Sequence, residues 1–240
     1  MDEFKRALRE IFFPSAYTCG ICKREIFNGE YICEDCKKNL PYNDGYICDH
    51  CGRKTFAPIS YCDACKGKEN HFDIARSAFV YQKPINHAVQ NLKYNNYKYL
   101  AREFASEMAK VYLKTFYPCG AIVFVPTSKK KVKERGYNQS ELIARAVGEK
   151  LSLPVFDDVI YKSRDTESQV GLTQKERLIN LSGSFSIKNR SKIAGERVLV
   201  IDDVLTTGTT ADLVSEKLKA AGAEAVFVLT VASVYYTGQE

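Results

Sequence analysis

No stretch of this 240-residue chain approaches the roughly 20 consecutive apolar residues that a membrane-spanning helix needs. Its N-terminus also lacks the basic, apolar segment of a secretory leader. A cytoplasmic protein is expected. In that compartment thiols stay reduced, so a disulfide framework is disfavoured and metal ligation is the better use of paired cysteines. Missing too is any Gly-x-x-x-x-Gly-Lys-Ser/Thr loop, which excludes a P-loop nucleotide site. A strong charge excess is not present either. Lysine and arginine number 35 against 29 acids, a formal +6 that on its face suggests a nucleic-acid partner. If eight cysteines hold two zinc ions as thiolates, however, each site nets two negative charges and the total falls to about +2.

What is present begins with those cysteines. Cys19 and Cys22, Cys33 and Cys36, Cys48 and Cys51, and Cys62 and Cys65 form four Cys-x-x-Cys pairs, and the second two repeat the first two at an offset of 29 residues. Two copies of one small module are implied. A Cys-x-x-Cys turn brings two sulfurs to one tetrahedral ion, and a second turn closes the site and leaves no open position, so the expected role is structural. Pairing of neighbouring turns is the simpler topology; interleaved pairing remains open from spacing alone. Buried free thiols or redox pairs would not account for four pairs at repeated spacing. His50 is read as a surface residue because each module is already complete, and Cys119, alone before a strand, as a small core residue. Residues 14–70 carry 8 basic and 8 acidic side chains, so the ribbons are no electrostatic attractor for a phosphate backbone.

Residues 2–13 have the pattern of an amphipathic helix, with Phe4, Leu8, Ile11 and Phe12 on one side and Pro14 ending it. From Asp73 the character becomes α/β. Strands are expected at 74–81, 121–125, 155–161, 185–187 and 225–231, and helices at 84–93, 99–114 and 139–150. This alternation predicts a mostly parallel sheet with flanking helices. The expected organisation is an N-terminal helix over 1–16, a double four-cysteine module over 17–70, and an α/β domain over 71–240.

The most informative stretch is VLVIDDVLTTGTTADLVSEKLKAAGA, residues 198–223. Val198 to Ile201 read as a strand buried on both faces, stopped by Asp202 and Asp203. Beyond Gly208, Leu213, Val214, Leu218 and Ala221 fall on one face of a helix that Gly222 can end. In such strand–turn–helix units an anion binds beyond the strand end, beside the N–H groups that open the helix. A receiver domain also places paired aspartates after an apolar strand, but only 37 residues follow Asp203, too few for the rest of one. A sugar-phosphate site fits better: adjacent carboxylates accept from vicinal ribose hydroxyls, and Thr206 to Thr210 surround a 5′-phosphate, with Gly208 permitting close approach. An ordinary helix cap explains one Asp or one Thr but not the series.

VLVIDDVLTTGTT closely resembles the phosphoribosyl pyrophosphate (PRPP) signature of type I phosphoribosyltransferases. Together with the double cysteine ribbons, VPTSKKKVKERGYNQ and RDTESQVGLTQKERLINLSGSF, the chain resembles, over nearly its whole length, the ComF/ComFC family of competence proteins. The resemblance implies a type I phosphoribosyltransferase-like fold, PRPP binding with Mg²⁺, and handling of incoming single-stranded DNA alongside DNA-uptake or DNA-processing proteins. It implies ribose contacts from Asp202 and Asp203, with Val204 between them and the next turn. It further implies 5′-phosphate contacts from Thr206, Thr207, Gly208, Thr209 and Thr210, and pyrophosphate contacts from Pro126, Thr127 and Ser128. Arg164, Gln169, Arg177 and Asn180 match the family pattern as well.

Lys129, Lys130, Lys131, Lys133 and Arg135, opposed only by Glu134, read as a basic loop that covers the pyrophosphate or meets a nucleic-acid backbone; a solvated charge run is the plain alternative. Arg135, Gly136, Tyr137, Asn138 and Gln139 make a denser polar set than a linker needs. Tyr94, Tyr97 and Tyr99, with Lys93 and Lys98, suit either base stacking or a helix face. No residue reads as a nucleobase selector. Three roles follow as alternatives: a competence factor, a nucleotide-salvage transferase, and a PRPP-sensing module without chemistry.

Overall fold

A computed structural model describes residues 18–26, 30–164, 180 and 183–235. The helix expected over 2–13, Gln169 and Arg177 lie outside these residues. The chain divides into two compact units after Leu40. In the first, Thr18 pairs antiparallel with Glu25 around the Cys19–Cys22 turn, and Cys33 caps a short helix, α1 (Glu34–Lys38), that carries Cys36.

The second unit opens with residues 41–43 running beside the first strand: Val80 N–H donates to Pro41 O at 2.8 Å and Asn43 N–H to Ala78 O at 3.0 Å. The second cysteine quartet follows. The elements are then β1 (Ile74–Val80), α2 (Ile85–Tyr94), α3 (Leu100–Thr115), β2 (Ala121–Phe124), α4 (Lys129–Arg135) and α5 (Gln139–Leu151). After them come β3 (Ile160–Lys162), β4 (Phe185–Ile187), β5 (Arg197–Leu205), α6 (Thr209–Ala220) and β6 (Ala225–Ser233). Four strands form one parallel sheet in the order β1-β6-β5-β2, and β3 pairs antiparallel with β4. Among the described residues no helix is long and apolar enough to cross a membrane.

Alternate side chains of the buried strands serve opposite faces. Val198, Val200, Ala121, Val123, Val226 and Val228 share a cluster with Val214 and Leu218 of α6. Leu199, Ile201 and Ile122, all fully buried, point the other way, toward the face covered by α3 and α5. The helix after β2 and the helix after β5 therefore lie on opposite faces of two adjacent strands. That reversal opens a crevice beyond their carboxyl ends, the usual ligand position in open α/β sheets.

Three expectations are corrected. The strand expected to stop at Asp202 runs on to Leu205, because β6 continues beside it with Asp202 opposite Thr230 and Leu205 opposite Ser233. On its other side β2 ends at Phe124, opposite Ile201, so the two aspartates have a strand neighbour on one side only. The basic stretch read as a loop is helix α4, since Ser128 caps it by accepting from Lys131 N–H at 3.2 Å and Gly136 closes it. The strand expected over 155–161 is confined to β3; Val155 makes only one parallel bridge, to Ile122.

Cys48, Cys51, Cys62 and Cys65 belong to the same buried cluster as Phe72, Ala75, Val198 and Val228, so this quartet and the sheet share a core. Gly52 makes the contact close: its φ is +67°, and a Cβ there would lie 2.5 Å from the Ala75 carbonyl oxygen of β1. Two double substitutions separate the two quartets. Cys51→Ser with Cys62→Ser should lower amide-exchange protection at Val200 and Val228 by about 100-fold, close to 2.8 kcal/mol. Cys22→Ser with Cys36→Ser should leave that protection unchanged. Equal protection in both variants would refute a shared core.

Candidate functional site

The metal sites are the simplest to build. Cys19, Cys22, Cys33 and Cys36 converge in one cluster and Cys48, Cys51, Cys62 and Cys65 in another, with the sulfurs of each within 4.8 Å of one another. Neighbouring turns pair, as the simpler topology had it. A tetrahedral ion with Zn–S bonds near 2.3 Å sets its sulfurs about 3.8 Å apart. Cys22–Cys33 measures 3.8 Å, Cys51–Cys62 3.6 Å and Cys62–Cys65 3.7 Å. Backbone N–H groups of Cys33 and Cys62 point at the Cys19 and Cys48 sulfurs, at 3.4 and 3.3 Å, as they do toward thiolates. The donor sets fit two structural zinc ions.

His50 is not the surface residue expected. Half-buried, it stacks on Phe72 at a centroid distance of 4.8 Å and lies 5.4 Å from Tyr61, and burial pulls its pKa below the usual imidazole range. Cys119 is a core residue, 6% exposed, its thiol pushed up to about 11 by burial.

At the end of β5 the two carboxylates are enclosed rather than presented at an exposed strand end. Asp203 is 5% exposed and Asp202 half-buried. Asp203 meets the Lys93 ammonium at 3.0 Å and accepts from Gln139 Nε2 at 2.6 Å. Asp202 accepts from Ser140 Oγ and from the Asp203 N–H, each at 2.9 Å. Arg135 donates to Gln139 Oε1 and lies over the exposed Tyr94 ring at 4.9 Å. Asn138 caps α5 by accepting from Ser140 N–H, and it donates to the Val125 carbonyl at 3.0 Å, which fixes the start of α5 against the end of β2. Gln139 and Ser140 thus hold the two aspartates from the start of α5, with Arg135 and Asn138 bracing that helix start. Ser140 and the Lys93 contact were not foreseen; the cap pattern Asn-Gln-Ser signals the first, and nothing local signals the second.

Burial raises the Asp202 pKa to about 7, the Asp203 carboxylate adding in the same direction, while the Asp203 N–H, Ser140 and Lys93 oppose it. Burial acts on Lys93 in the opposite sense, but Asp203 and Asp202 outweigh it and its pKa is raised. The basic stretch divides in two. Lys129, Lys130 and Lys133 are exposed. Lys131 and Arg135 are half-buried and turned inward, and Lys131 is lowered by burial and by the charges of Arg135 and Lys93.

Past Leu205 the chain turns through Thr206 and Thr207 to Gly208, whose φ of +84° starts α6. Thr207 and Thr209 hydroxyls bond at 2.9 Å. Arg53 of the second cysteine module donates to the Thr206 carbonyl. Pro126 and Thr127 are half-buried after β2, and Ser128 is committed to capping α4. Arg164 is exposed and Asn180 half-buried. Tyr97 and Tyr99 stack at 5.4 Å in the turn after α2, and Lys98 lies over Tyr137 at 4.7 Å. The arrangement offers two carboxylate acceptors, a glycine-led helix start and inward cations around one crevice.

Because the folded Asp202 keeps a proton up to about pH 7 that the unfolded chain sheds near 3.8, native stability falls as pH rises across that window. Asp202→Asn removes the loss. Its thermal midpoint should exceed the wild-type value by about 5 °C at pH 8 and match it near pH 4. A difference that does not vary with pH would contradict the raised pKa.

Comparison with known proteins matches residues 132–239 to the phosphoribosyl transferase domain and residues 8–66 to the double zinc ribbon domain. The chain is 28% identical over 217 residues to Competence protein F of Haemophilus influenzae, covering 88% of this chain and 87% of that protein. To Competence protein ComFC of Bacillus subtilis it is 29% identical over 203 residues, 80% and 81% of the two chains. To the DNA utilization protein YhgH of Salmonella typhimurium it is 26% identical over 215 residues, 88% and 87%. A zinc ribbon and a phosphoribosyltransferase domain occur together in this chain, which along most of its length is similar to the competence proteins F and ComFC.

Proposed function

We infer that the protein binds PRPP in the crevice between β2 and β5 and serves DNA processing in natural transformation, within the cytoplasm. The observation that carries the first half is the placement of Asp202 and Asp203 at the one-sided end of β5, immediately before the glycine-led start of α6. Asp203 has a partner on each oxygen, but a carboxylate offers about four acceptor positions, so ribose hydroxyls can be accommodated without displacing Lys93 or Gln139. The 5′-phosphate goes to Thr206–Thr210, where first-turn N–H groups and the helix dipole favour an anion. Pro126–Ser128, Lys131 and Arg135 face the pyrophosphate. Magnesium would arrive with the ligand, since it leans on substrate phosphates and water rather than on a protein cage.

Any transfer reaction at this site breaks the C1–O bond of PRPP, the bonding electrons leaving on pyrophosphate, and forms a C1–N bond from the lone pair of a nitrogen acceptor. Positive charge builds on the ribose ring beside two carboxylates, and negative charge on the pyrophosphate beside the inward cations. The names of the relatives, two competence proteins and a DNA utilization protein, support the second half of the reading.

Asp202→Asn with Asp203→Asn should leave the protein folded and weaken PRPP binding at least tenfold in calorimetric titration, by loss of charge-assisted bonds. Wild-type affinity should rise with pH through about 7 as Asp202 ionises. In a competent host the same double mutant should lose transformation. A purine, pyrimidine or cofactor growth defect with normal transformation would favour salvage, and PRPP binding without pyrophosphate release on any base or short oligonucleotide would favour a sensing module. The three outward lysines give a separate test. Lys129→Glu, Lys130→Glu and Lys133→Glu together should weaken single-stranded DNA binding and reduce its salt slope by roughly 0.7 per lost contact, with PRPP affinity unchanged. An unaltered slope would remove α4 from the DNA surface.

A further inference from the structure

Arg53 is a buried cation whose use the PRPP reading leaves unexplained. It is 5% exposed, and among the described residues no carboxylate lies within ion-pair distance of it. Among the described residues its Nε–H is buried without a partner. Burying a guanidinium this way is costly unless nearby anions or acceptors compensate it. Two features of its surroundings supply them. Behind it stands the second cysteine quartet, of which Cys51 is two residues away; four thiolates around a zinc dication carry two net negative charges. Ahead of it is the turn that leads into α6, where one Nη2 donates to the Thr206 carbonyl, 153 residues away in sequence. The same Nη2 lies 3.8 Å from where a Cβ on Gly208 would stand, so the charge sits against the backbone of the proposed 5′-phosphate turn.

The backbone that carries Arg53 is fixed by the zinc knuckle itself. Cys48 N–H donates to the Arg53 carbonyl at 2.9 Å, and Gly52 N–H donates to the Cys48 carbonyl at 2.9 Å. Gly52 in turn is seated against β1, and the Ala75 N–H donates to the His50 carbonyl at 2.8 Å. The cysteine knuckle, the guanidinium and the turn at Thr206–Gly208 form one continuous chain of contacts within a single unit.

On the reading of the crevice as a ribose-phosphate site, we propose that Arg53 is a positioning residue which couples the second zinc site to PRPP binding, holding the turn at Thr206–Gly208 in shape for the phosphate and placing positive charge behind it. The ribbon is then part of the ligand site rather than an appendage to it. Because coupling between two sites is reciprocal, PRPP must also hold the zinc more firmly.

The test uses the full chain. Arg53→Met, similar in length but uncharged, should retain both zinc ions and weaken PRPP binding at least tenfold in calorimetry; Arg53→Lys should recover part of the loss. For the reciprocal arm, Cys22→Ser with Cys36→Ser leaves the second quartet as the only source of zinc. In that background saturating PRPP should slow zinc release to a chromogenic chelator severalfold, and with Arg53→Met added it should not. An arginine that merely stabilises the knuckle would speed zinc release when replaced but leave PRPP affinity untouched, which overturns the proposal. Should Arg53→Met fail to fold, the effect of PRPP on zinc release with Arg53 intact decides alone, and no slowing overturns it. Failure of the wild type to bind PRPP defeats the ribose-phosphate reading and this inference together, whereas wild-type binding with an unaffected Arg53→Met defeats this inference only.

Discussion

Two carboxylates placed side by side under cover repel each other and lose their hydration, and much of the α/β unit is arranged around compensating them. Asp203 takes an ammonium from α2 and an amide from α5; Asp202 takes a hydroxyl from α5 and the backbone N–H of its neighbour. These bonds stitch two helices to the end of β5 at a point where the sheet supplies a strand on one side only. The compensation is incomplete, which is why Asp202 titrates near neutrality. Incomplete compensation suits a ligand site. Donors that were fully optimal for the empty state would leave the carboxylates with little to gain from a ligand's hydroxyls.

The cysteine modules answer a different constraint. A ribbon of about 25 residues cannot bury enough apolar surface to stay folded alone, so a metal supplies what a core would otherwise provide. The two copies use that support differently. The quartet at Cys19–Cys36 belongs to a unit of its own, while the quartet at Cys48–Cys65 is merged into the core of the sheet through Phe72, Ala75 and the closely seated Gly52. Equal spacing in sequence thus accompanies unequal structural roles.

Local chemistry made much of this legible. The apolar run at Val198–Ile201, the Cys-x-x-Cys repeat and the change of period after Gly208 each depend on neighbours in sequence, and a strand, two cysteine clusters and a helix appear at those places. Errors arose where tertiary partners decide. The end of β5 depends on how far β6 runs beside it, and no feature of residues 202–205 reveals that. Charge density at Lys129–Arg135 suggests a loop, whereas the Ser128 cap, the Gly136 end and a run of good helix formers interrupted only by Val132 make a helix. Lys93 reads from its neighbours as one cation among tyrosines, because Asp203, its partner, is distant in sequence. Arg53 has no local signature, since it lies inside a ribbon whose basic and acidic side chains are equal in number.

The short pairings at the two borders of the sheet have a further effect. Along β1, Pro41 and Asn43 occupy the outward backbone groups of Ala78 and Val80. Along β2, Ile122 donates to Pro154 and accepts from Phe156, both at 2.9 Å. Neither border therefore presents the open row of N–H and C=O groups on which another strand templates itself. Among the described residues, the sheet is bordered at four strands by irregular chain rather than by charged side chains. Such a sheet is poorly suited to self-association by strand addition.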